Sequence, residues 1–334
     1  MSGKLTFGYL YDFRNPPQYR RKWEELYAEI LDVVAWSEGA GFGGAWVPEH
    51  HLADDGYMPS PLVALAAMAV RTKRIKLGSA IALAPLYNPV RFATDAAVLD
   101  ILAGGRIEMG LAIGYRRRET AAFGVAFGKR GGMFDEWLEI VSRLWAGETV
   151  DFAGSHYSIE GAKVMPPAPR GRIPLYIGGF AGKAVDRVIQ YGDGYLGSDQ
   201  VCLAYVDKLR ELGRDVSAAK VRITGLMTVV SHDPATAMEE LAPYFHHVNN
   251  SYGEYFAEDK ALGMESFTPM SLEDFKRSGT LQIMTPDQAI AMFKQLQSRM
   301  PLDHYMMMMP PGLPAARFVH YADIFAKEVI PAFR

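Results

Sequence analysis

Short apolar runs alternate along the chain with longer segments in which apolar residues recur every three or four positions. The short runs predict buried β-strands, and the longer segments predict amphipathic helices. Strands are predicted over residues 5–11, 45–47, 75–83, 107–113, 175–177, 194–196, 221–230 and 304–309. Helices are predicted over residues 24–40, 61–70, 89–102, 134–145, 183–191, 203–212, 235–248, 286–300 and 315–333.

This alternation organises the chain into eight strand–helix units, with no linker or change of composition between them. Such an order indicates a parallel sheet, and eight units over 334 residues favour a closed (β/α)8 TIM barrel of the α/β class. A doubly wound open sheet is the alternative. The segment 147–172 is interpreted as a hairpin with an extended connector, and 249–282 loses periodicity. We therefore expect a single domain, residues 1–334, with these two insertions.

The composition is typical of a soluble globular protein and excludes several classes of function. The 35 basic and 38 acidic residues give a net charge of −3, too weak a field to attract nucleic acid or an anionic membrane. The first residues do not resemble a signal peptide, and the longest apolar stretches are too short to span a bilayer. Because Cys202 is the single cysteine, no disulfide can form within the chain, and we expect a cytoplasmic protein.

The active site of a parallel barrel lies at the carboxyl ends of its strands, and this rule selects few candidate residues. His50 and His51 follow the second predicted strand. Neighbouring side chains on an extended strand point in opposite directions, so the pair is a poor metal site, and we predict no metal. One imidazole is then available for proton transfer near neutral pH.

Glycines mark two further strand ends. Gly110 and Gly114 flank the end of the fourth predicted strand, where they permit a flat ligand to approach the backbone. The three arginines at 116–118 are interpreted as a solvated charge run rather than a phosphate site. After the fifth strand, Gly178 and Gly179 lead directly into a helix, whose first N–H groups can bind an anion. A phosphate cradle, with Arg130 as a partner, and an ordinary glycine loop are equally compatible with this segment.

Several short motifs combine proline, glycine and charged residues at distinctive spacings. They are WVPEHH at 46–51, LGSA at 77–80, PLYNPVR at 85–91, LDILAGGR at 99–106, GY at 114–115 followed by Glu119, PLYIGG at 174–179 and GDG at 192–194. In their order and spacing they resemble the bacterial luciferase-like, flavin-dependent monooxygenases. The resemblance extends from the first strand to the final helix, apart from the segment 249–282.

The resemblance implies a barrel that binds reduced FMN, supplied by a separate NAD(P)H-dependent reductase, and that uses O2 to oxidise a small organic substrate. It places the cofactor at Glu49, Ala80, Ala112, Gly114, Tyr115, Arg130, Gly178, Gly179, Phe180 and Ala181. His50 and His51 match paired histidines at the reactive edge of the flavin, where one moves a proton. It also implies a non-prolyl cis peptide bond between Ala80 and Ile81. The luciferases proper have a cysteine at the position of Ala112, so we do not expect light emission.

Two alternatives to an FMN monooxygenase stay open at this point. Related barrels bind a deazaflavin and transfer hydride, and its long anionic tail would need a basic channel, for which residues 116–118 are the candidates. The other alternative is a non-catalytic flavin-binding protein, against which the two histidines argue. The resemblance also implies a homodimer. An apolar, uncharged substrate is indicated by the aromatic residues Phe13, Tyr57, Tyr115, Phe180 and Tyr252.

Overall fold

The predicted barrel is confirmed: eight parallel strands close on themselves in the computed structural model, which describes residues 4–179, 182–258 and 267–334. The described residues form twelve strands: β1 (Thr6–Leu10), β2 (Gly44–Val47), β3 (Lys76–Leu83), β4 (Ile107–Ala112), β5 (Val150–Ala153), β6 (Ser158–Ala162), β7 (Leu175–Gly178), β8 (Gly194–Gly197), β9 (Val221–Thr224), β10 (Thr228–Val230), β11 (Gln282–Met284) and β12 (Leu302–Met308). The eight strands of the barrel follow the order β1, β2, β3, β4, β7, β8, β9 and β12.

Helices connect the strands and cover the outside of the barrel. They are α1 (Trp23–Ala40), α2 (Pro61–Arg71), α3 (Pro89–Leu102), α4 (Arg117–Ala122), α5 (Arg130–Trp145), α6 (Gly182–Tyr191), α7 (Asp199–Glu211), α8 (Pro234–Ala257), α9 (Leu272–Arg277), α10 (Pro286–Arg299) and α11 (Ala315–Ile324). Local signals set their ends. The Thr285 and Gln288 side chains form a capping box at the start of α10, and Gly41, with φ of 97°, ends α1.

The strands are apolar because the barrel buries them on both faces. In β1, Gly8 is paired with Gly44 on one side and Met306 on the other, and Leu10 is paired with Trp46 and Met308. The methionines of β12 are fully buried. Because successive side chains of a strand point to opposite faces, these flexible side chains pack both inside the barrel and against the helices around it.

The differences from the predicted elements fall where the chain leaves the regular barrel pattern. The run 221–230 is not one strand, because a turn at Leu226 and Met227 separates β9 from β10, which pairs with β11 outside the barrel. The helix predicted over 235–248 continues to Ala257, so the first part of the segment 249–282 is helical. The short helix α4 was not predicted. In the segment 147–172, β5 and β6 pair antiparallel, which confirms the hairpin.

Gly78 lies where β3 passes very close to its neighbours, so its replacement tests the packing of the barrel. A Cβ atom at this position would overlap the carbonyl oxygen of Glu108 and the ring of Trp46. Because backbone cannot move aside as a flexible side chain does, Gly78→Ala is expected to lower the free energy of unfolding by about 2–3 kcal/mol. Urea denaturation followed by circular dichroism measures this change.

The matched control is Gly39→Ala, in α1, where an added Cβ meets no atom within 4 Å. This substitution is expected to leave the free energy of unfolding unchanged or to raise it by about 0.5–1 kcal/mol, because alanine loses less conformational freedom in a helix. A similar loss of stability in both variants would contradict the packing argument.

Candidate active site

A cavity of about 930 Å³ opens at the carboxyl ends of the barrel strands. Most of the residues predicted from the sequence meet on its walls: Glu49, His50, Ala80, Ala112, Gly114, Tyr115, Arg130, Gly178 and Gly179. Phe180 and Ala181 lie outside the described residues. The predicted site residues therefore share one space, although they come from strands far apart in the sequence.

Small and branched apolar side chains of two adjacent strands line one part of the cavity. It is built from Ala80 and Ile81 on β3, Ala112 at the end of β4, and the neighbouring Ile113. The peptide bond between Ala80 and Ile81 is cis, as predicted. With two alanines and no charged group among these four residues, this wall can accept the face of a planar ring system.

At its glycine end, after β7, the cavity is lined by Gly178 and Gly179, and two arginines line the same cavity. The Arg130 guanidinium lies over the Phe127 ring, 3.2 Å from its centroid, and donates to the carbonyl oxygens of Phe127 and Gly114. Arg187, on α6, also lines the cavity, where it donates at 2.6 Å to Asp135. The sequence pattern did not single out Arg187, because it lies within an ordinary amphipathic helix. Together with the backbone at Gly178 and Gly179, the two guanidinium groups can bind a phosphate.

His50 is held by a buried carboxylate. Its Nδ1 lies 2.9 Å from Oε1 of Glu119, and the same oxygen accepts the backbone N–H of His51 at 2.9 Å. Burial raises the pKa of Glu119, but the hydrogen bond from His50, the His51 N–H and Arg116 outweigh it and hold that pKa below its ordinary value. Since a carboxylate only accepts hydrogen bonds, Nδ1 of His50 carries a proton, and in a neutral imidazole the other nitrogen, Nε2, is a hydrogen-bond acceptor.

Arg116 supports this carboxylate and is not part of a solvated charge run. It is buried, donates at 2.9 Å to Glu119 and at 2.8 Å to Glu258, and its guanidinium lies over the ring of Tyr255. The prediction was thus wrong for Arg116, because its partner Glu258 lies 142 residues away in the sequence. Arg117 and Arg118 are exposed.

His51 has a different position from His50. It is not among the described residues that line the cavity. Its Nε2 lies 2.8 Å from Oε1 of Glu49, which also accepts from the Tyr87 hydroxyl at 2.7 Å, while Oε2 accepts the Leu83 N–H. His51 therefore holds the Glu49 carboxylate in place, whereas the imidazole of His50 lines the cavity.

A second buried charge network anchors α8 beside the cavity. Arg14 donates at 2.6 Å to Asp55 and at 2.7 Å to the Ser251 hydroxyl, and His247 lies 2.7 Å from the same carboxylate. Burial raises the pKa of Asp55, but the hydrogen bond with His247 and the Arg14 guanidinium lower it to about 2. The network connects the loops after β1 and β2 to the helix that closes one side of the cavity.

Polar and apolar side chains on or near α7, β11 and α10 also line the cavity. The polar ones are Asp199, Thr280, Gln282, Gln295 and Arg299, and the apolar ones on α10 are Met292 and Leu296. One carboxylate and one guanidinium are among them, so these side chains carry no large excess of either charge. Within the described part of the chain, no three histidine, cysteine, aspartate or glutamate side chains are arranged to hold a metal ion, and no helix is both long and apolar enough to span a bilayer.

Comparison with known proteins identifies the family. Residues 5–301 match the luciferase-like monooxygenases. The chain belongs to this family. It is 22% identical to the oxygenase component of the flavin-dependent trigonelline monooxygenase of Acinetobacter baylyi, over 93% of this chain and 91% of that protein. It is 28% identical to the F420-dependent glucose-6-phosphate dehydrogenase of Nocardia farcinica, over 92% of this chain and 94% of that protein.

Two further matches support the family and the fold but give no further evidence about the reaction. The uncharacterized protein y4vJ of Sinorhizobium fredii is 32% identical over 179 residues, so this chain spans about half of that relative (52% of this chain, 50% of that protein). The monooxygenase RslO1 of Streptomyces bottropensis superposes with a TM-score of 0.81 at 20% identity, over 99% of this chain and all of that one. Because the relatives of this family member include both a flavin monooxygenase and an F420-dependent dehydrogenase, membership leaves the cofactor open.

Proposed function

We propose that this protein is the oxygenase component of a two-component, FMN-dependent monooxygenase. Its partners are a separate NAD(P)H-dependent flavin reductase, O2 and a small, uncharged organic substrate. The observation that carries the proposal is a single cavity lined by apolar side chains of β3 and β4, by glycines and arginines suited to a phosphate, and by a carboxylate-bound imidazole.

The walls of the cavity fit the parts of FMN. Ala80 and Ala112 lie on the wall that would accept the isoalloxazine ring, and Glu49, Gly114 and Tyr115 line the space around it. The backbone at Gly178 and Gly179, with Arg130 and Arg187, would bind the phosphate. Phe180 and Ala181 stay predicted members of the same phosphate site. The cavity volume is near the upper end of the ~300–1,000 Å³ typical of ligand pockets, which leaves room for a substrate beside the cofactor.

Reduced FMN, when bound, supplies the two electrons with which O2 is activated. The residues of this chain transfer the proton, position the reacting groups and exclude water from the cavity. His50 accepts or returns a proton at Nε2, and Glu119 keeps its ring in one tautomer and orientation. His51 acts through Glu49, whose position next to β3 it fixes. The aromatic side chains of α8 keep bulk water away from the reacting groups.

A deazaflavin-dependent dehydrogenase is the second candidate, because an F420-dependent dehydrogenase is among the relatives and polar side chains line part of the cavity. A deazaflavin carries a long anionic tail on its phosphate. Among the described residues that line the cavity the cations are Arg130, Arg187 and Arg299, and the carboxylates of Glu49 and Asp199 line it as well. This lining has little excess of positive charge for a polyanionic tail, so FMN remains the better match.

The cofactor assignment is tested by titration of the purified protein with FMN, riboflavin and coenzyme F420, each oxidised and reduced, in the absence of O2. Reduced FMN is expected to bind about tenfold more tightly than reduced F420, and its complex is expected to consume O2. Arg130→Ala should weaken FMN binding by about tenfold, the value of a charge-assisted hydrogen bond, and leave riboflavin binding unchanged because riboflavin has no phosphate. Tighter binding of F420 than of FMN would replace the monooxygenase with the dehydrogenase.

The role of His50 is tested by comparing His50→Ala with His51→Ala. Because His50 lines the cavity and Glu119 holds its Nδ1, the loss of His50 is expected to lower the rate of substrate oxidation about 100-fold or more, with FMN affinity retained. The loss of His51 acts only through Glu49 and is expected to have a smaller effect. Single-turnover measurements with reduced FMN and O2 check both variants, and the opposite order of effects would assign the proton transfer to His51.

We also propose that two copies of the chain associate through α2 and α3, which pack side by side. Val63 and Val70, exposed to 70% and 61%, lie on one face of α2, and Val98, Ile101 and Leu102 are exposed on one face of α3. Exposed apolar side chains at helical spacing on adjacent helices are typical of an interface, and self-association is the commonest form of it.

Val70→Arg is expected to convert the dimer to a monomer at micromolar concentration, because the guanidinium would be buried without a partner. Sedimentation velocity measures the change. Leu212→Arg, at an exposed leucine after α7, is the matched control and should leave the dimer intact. A wild-type protein that sediments as a monomer would contradict the proposal.

A further inference from the structure

The end of the cavity beside His50 has a wall of aromatic rings that lie nearly parallel to one another. Tyr252 and Phe256 on α8, together with Phe267, form this aromatic wall, and all three line the cavity. The ring centroids of Tyr252 and Phe267 are 5.2 Å apart, with an interplanar angle of 23°, and those of Phe256 and Phe267 are 6.1 Å apart, at 24°. Parallel rings offer a further ring an offset-stacked position, which favours a planar ligand.

The aromatic wall is held in place from behind. The Tyr252 hydroxyl is hydrogen-bonded at 2.6 Å to the hydroxyl of Tyr57, which is fully buried. Phe256 packs against the Tyr115 ring with 5.0 Å between centroids. A wall that is already ordered binds a rigid ring at low entropic cost, whereas a flexible alkyl chain would have to be ordered on binding.

The charged groups behind the aromatic wall are paired within the protein. Arg116 is bound to Glu119 and Glu258, and Arg14 is bound to Asp55. A charged ligand at this end of the cavity would lose its hydration without gaining a group of opposite charge that has no other partner. The aromatic wall therefore favours an uncharged ligand.

His50 supplies a directional polar contact next to the aromatic wall. Its ring lies 6.0 Å from that of Tyr252, centroid to centroid, and it lines the same cavity. With Nδ1–H donated to Glu119, Nε2 of the neutral ring offers a lone pair. That lone pair is matched by a ligand with an O–H or N–H group, whereas an ether or a ketone would leave it without a partner.

We propose that the substrate is an uncharged planar aromatic compound with a ring hydroxyl, of the phenol and naphthol class. The ring stacks on the aromatic wall, and the hydroxyl donates to Nε2 of His50. When the proton moves, the O–H bond of the ligand breaks, an Nε2–H bond forms, and the electron pair stays on the ring oxygen, which makes the ring easier to oxidise. The inference rests on the proposed function only in assuming that the substrate binds in this cavity.

The test is a binding titration of 2-naphthol, 2-methoxynaphthalene and 1-decanol, with the protein alone and with the protein saturated with oxidised FMN. The naphthol is expected to bind about fivefold or more tightly than its methyl ether, which cannot donate to Nε2. It should also bind more tightly than decanol, which carries the hydroxyl on a flexible chain. Isothermal titration calorimetry measures all three affinities.

Two variants assign the contacts. His50→Leu is expected to reduce the preference for naphthol over its ether to less than about twofold, since the acceptor is gone, and retained ether binding shows that the variant is folded. Phe256→Leu is expected to weaken both naphthalene probes by about threefold or more through the loss of stacking. Phe152→Leu, in the hairpin outside the cavity, is the matched control and should change neither affinity.

Equal affinities for naphthol and its ether in the wild type would overturn the hydroxyl assignment, and decanol binding as tightly as naphthol would overturn the planar one. Displacement of naphthol by FMN would place it in the cofactor site and also overturn the inference. Failure of the protein to bind FMN would contradict the proposed function instead, and the titration of the protein alone would still test the ligand class.

Discussion

The buried carboxylate of Glu119 is the group on which the arrangement of the candidate site depends. One of its oxygens receives the His50 ring, the His51 backbone N–H and the Arg116 guanidinium, each at 2.9 Å. A carboxylate is stable away from water only with such partners, so these contacts tie the loop after β2 to the start of α4. The orientation of His50 is therefore determined by the fold and does not depend on a bound ligand.

Arg116 extends the same network to α8 through Glu258, and Arg14 reaches that helix a second time through Ser251. The imidazole and the aromatic wall are consequently held by buried ion pairs, although they are distant from each other in the sequence. Loss of one partner in such a network leaves another charge buried and unpaired, which costs several kcal/mol (about 3–5 in typical cases). The position of the proton-transfer group and the shape of the cavity are thus determined together.

The regular part of the barrel was predictable because burial on both faces produces apolar runs that are visible without any knowledge of tertiary contacts. Where contacts between distant residues determine the structure, the hydrophobic pattern of the sequence did not predict it. The end of α8 carries tyrosine, phenylalanine, serine and glycine, so its helical period is weak, and its packing against the cavity maintains it to Ala257. Arg116 was interpreted as solvated because its partner Glu258 is distant in sequence, and Arg187 had no signal of its own. The resemblance marked Glu119 as a motif residue, but only the structure gives its contacts.

These contacts also bear on the choice of cofactor. Residues 116–118 were the one cluster of arginines that the sequence offered to a long anionic tail, and among the described residues that line the cavity none of the three appears. Arg116 is neutralised by Glu119 and Glu258, and the Arg117 guanidinium lies over the Phe127 ring. Arg130 and Arg187 line the same cavity as Gly178 and Gly179. Two guanidinium groups suit a single terminal phosphate better than a tail with several charges. The arrangement that orients His50 therefore removes a cation that a polyanionic tail would need, and this favours FMN on electrostatic grounds.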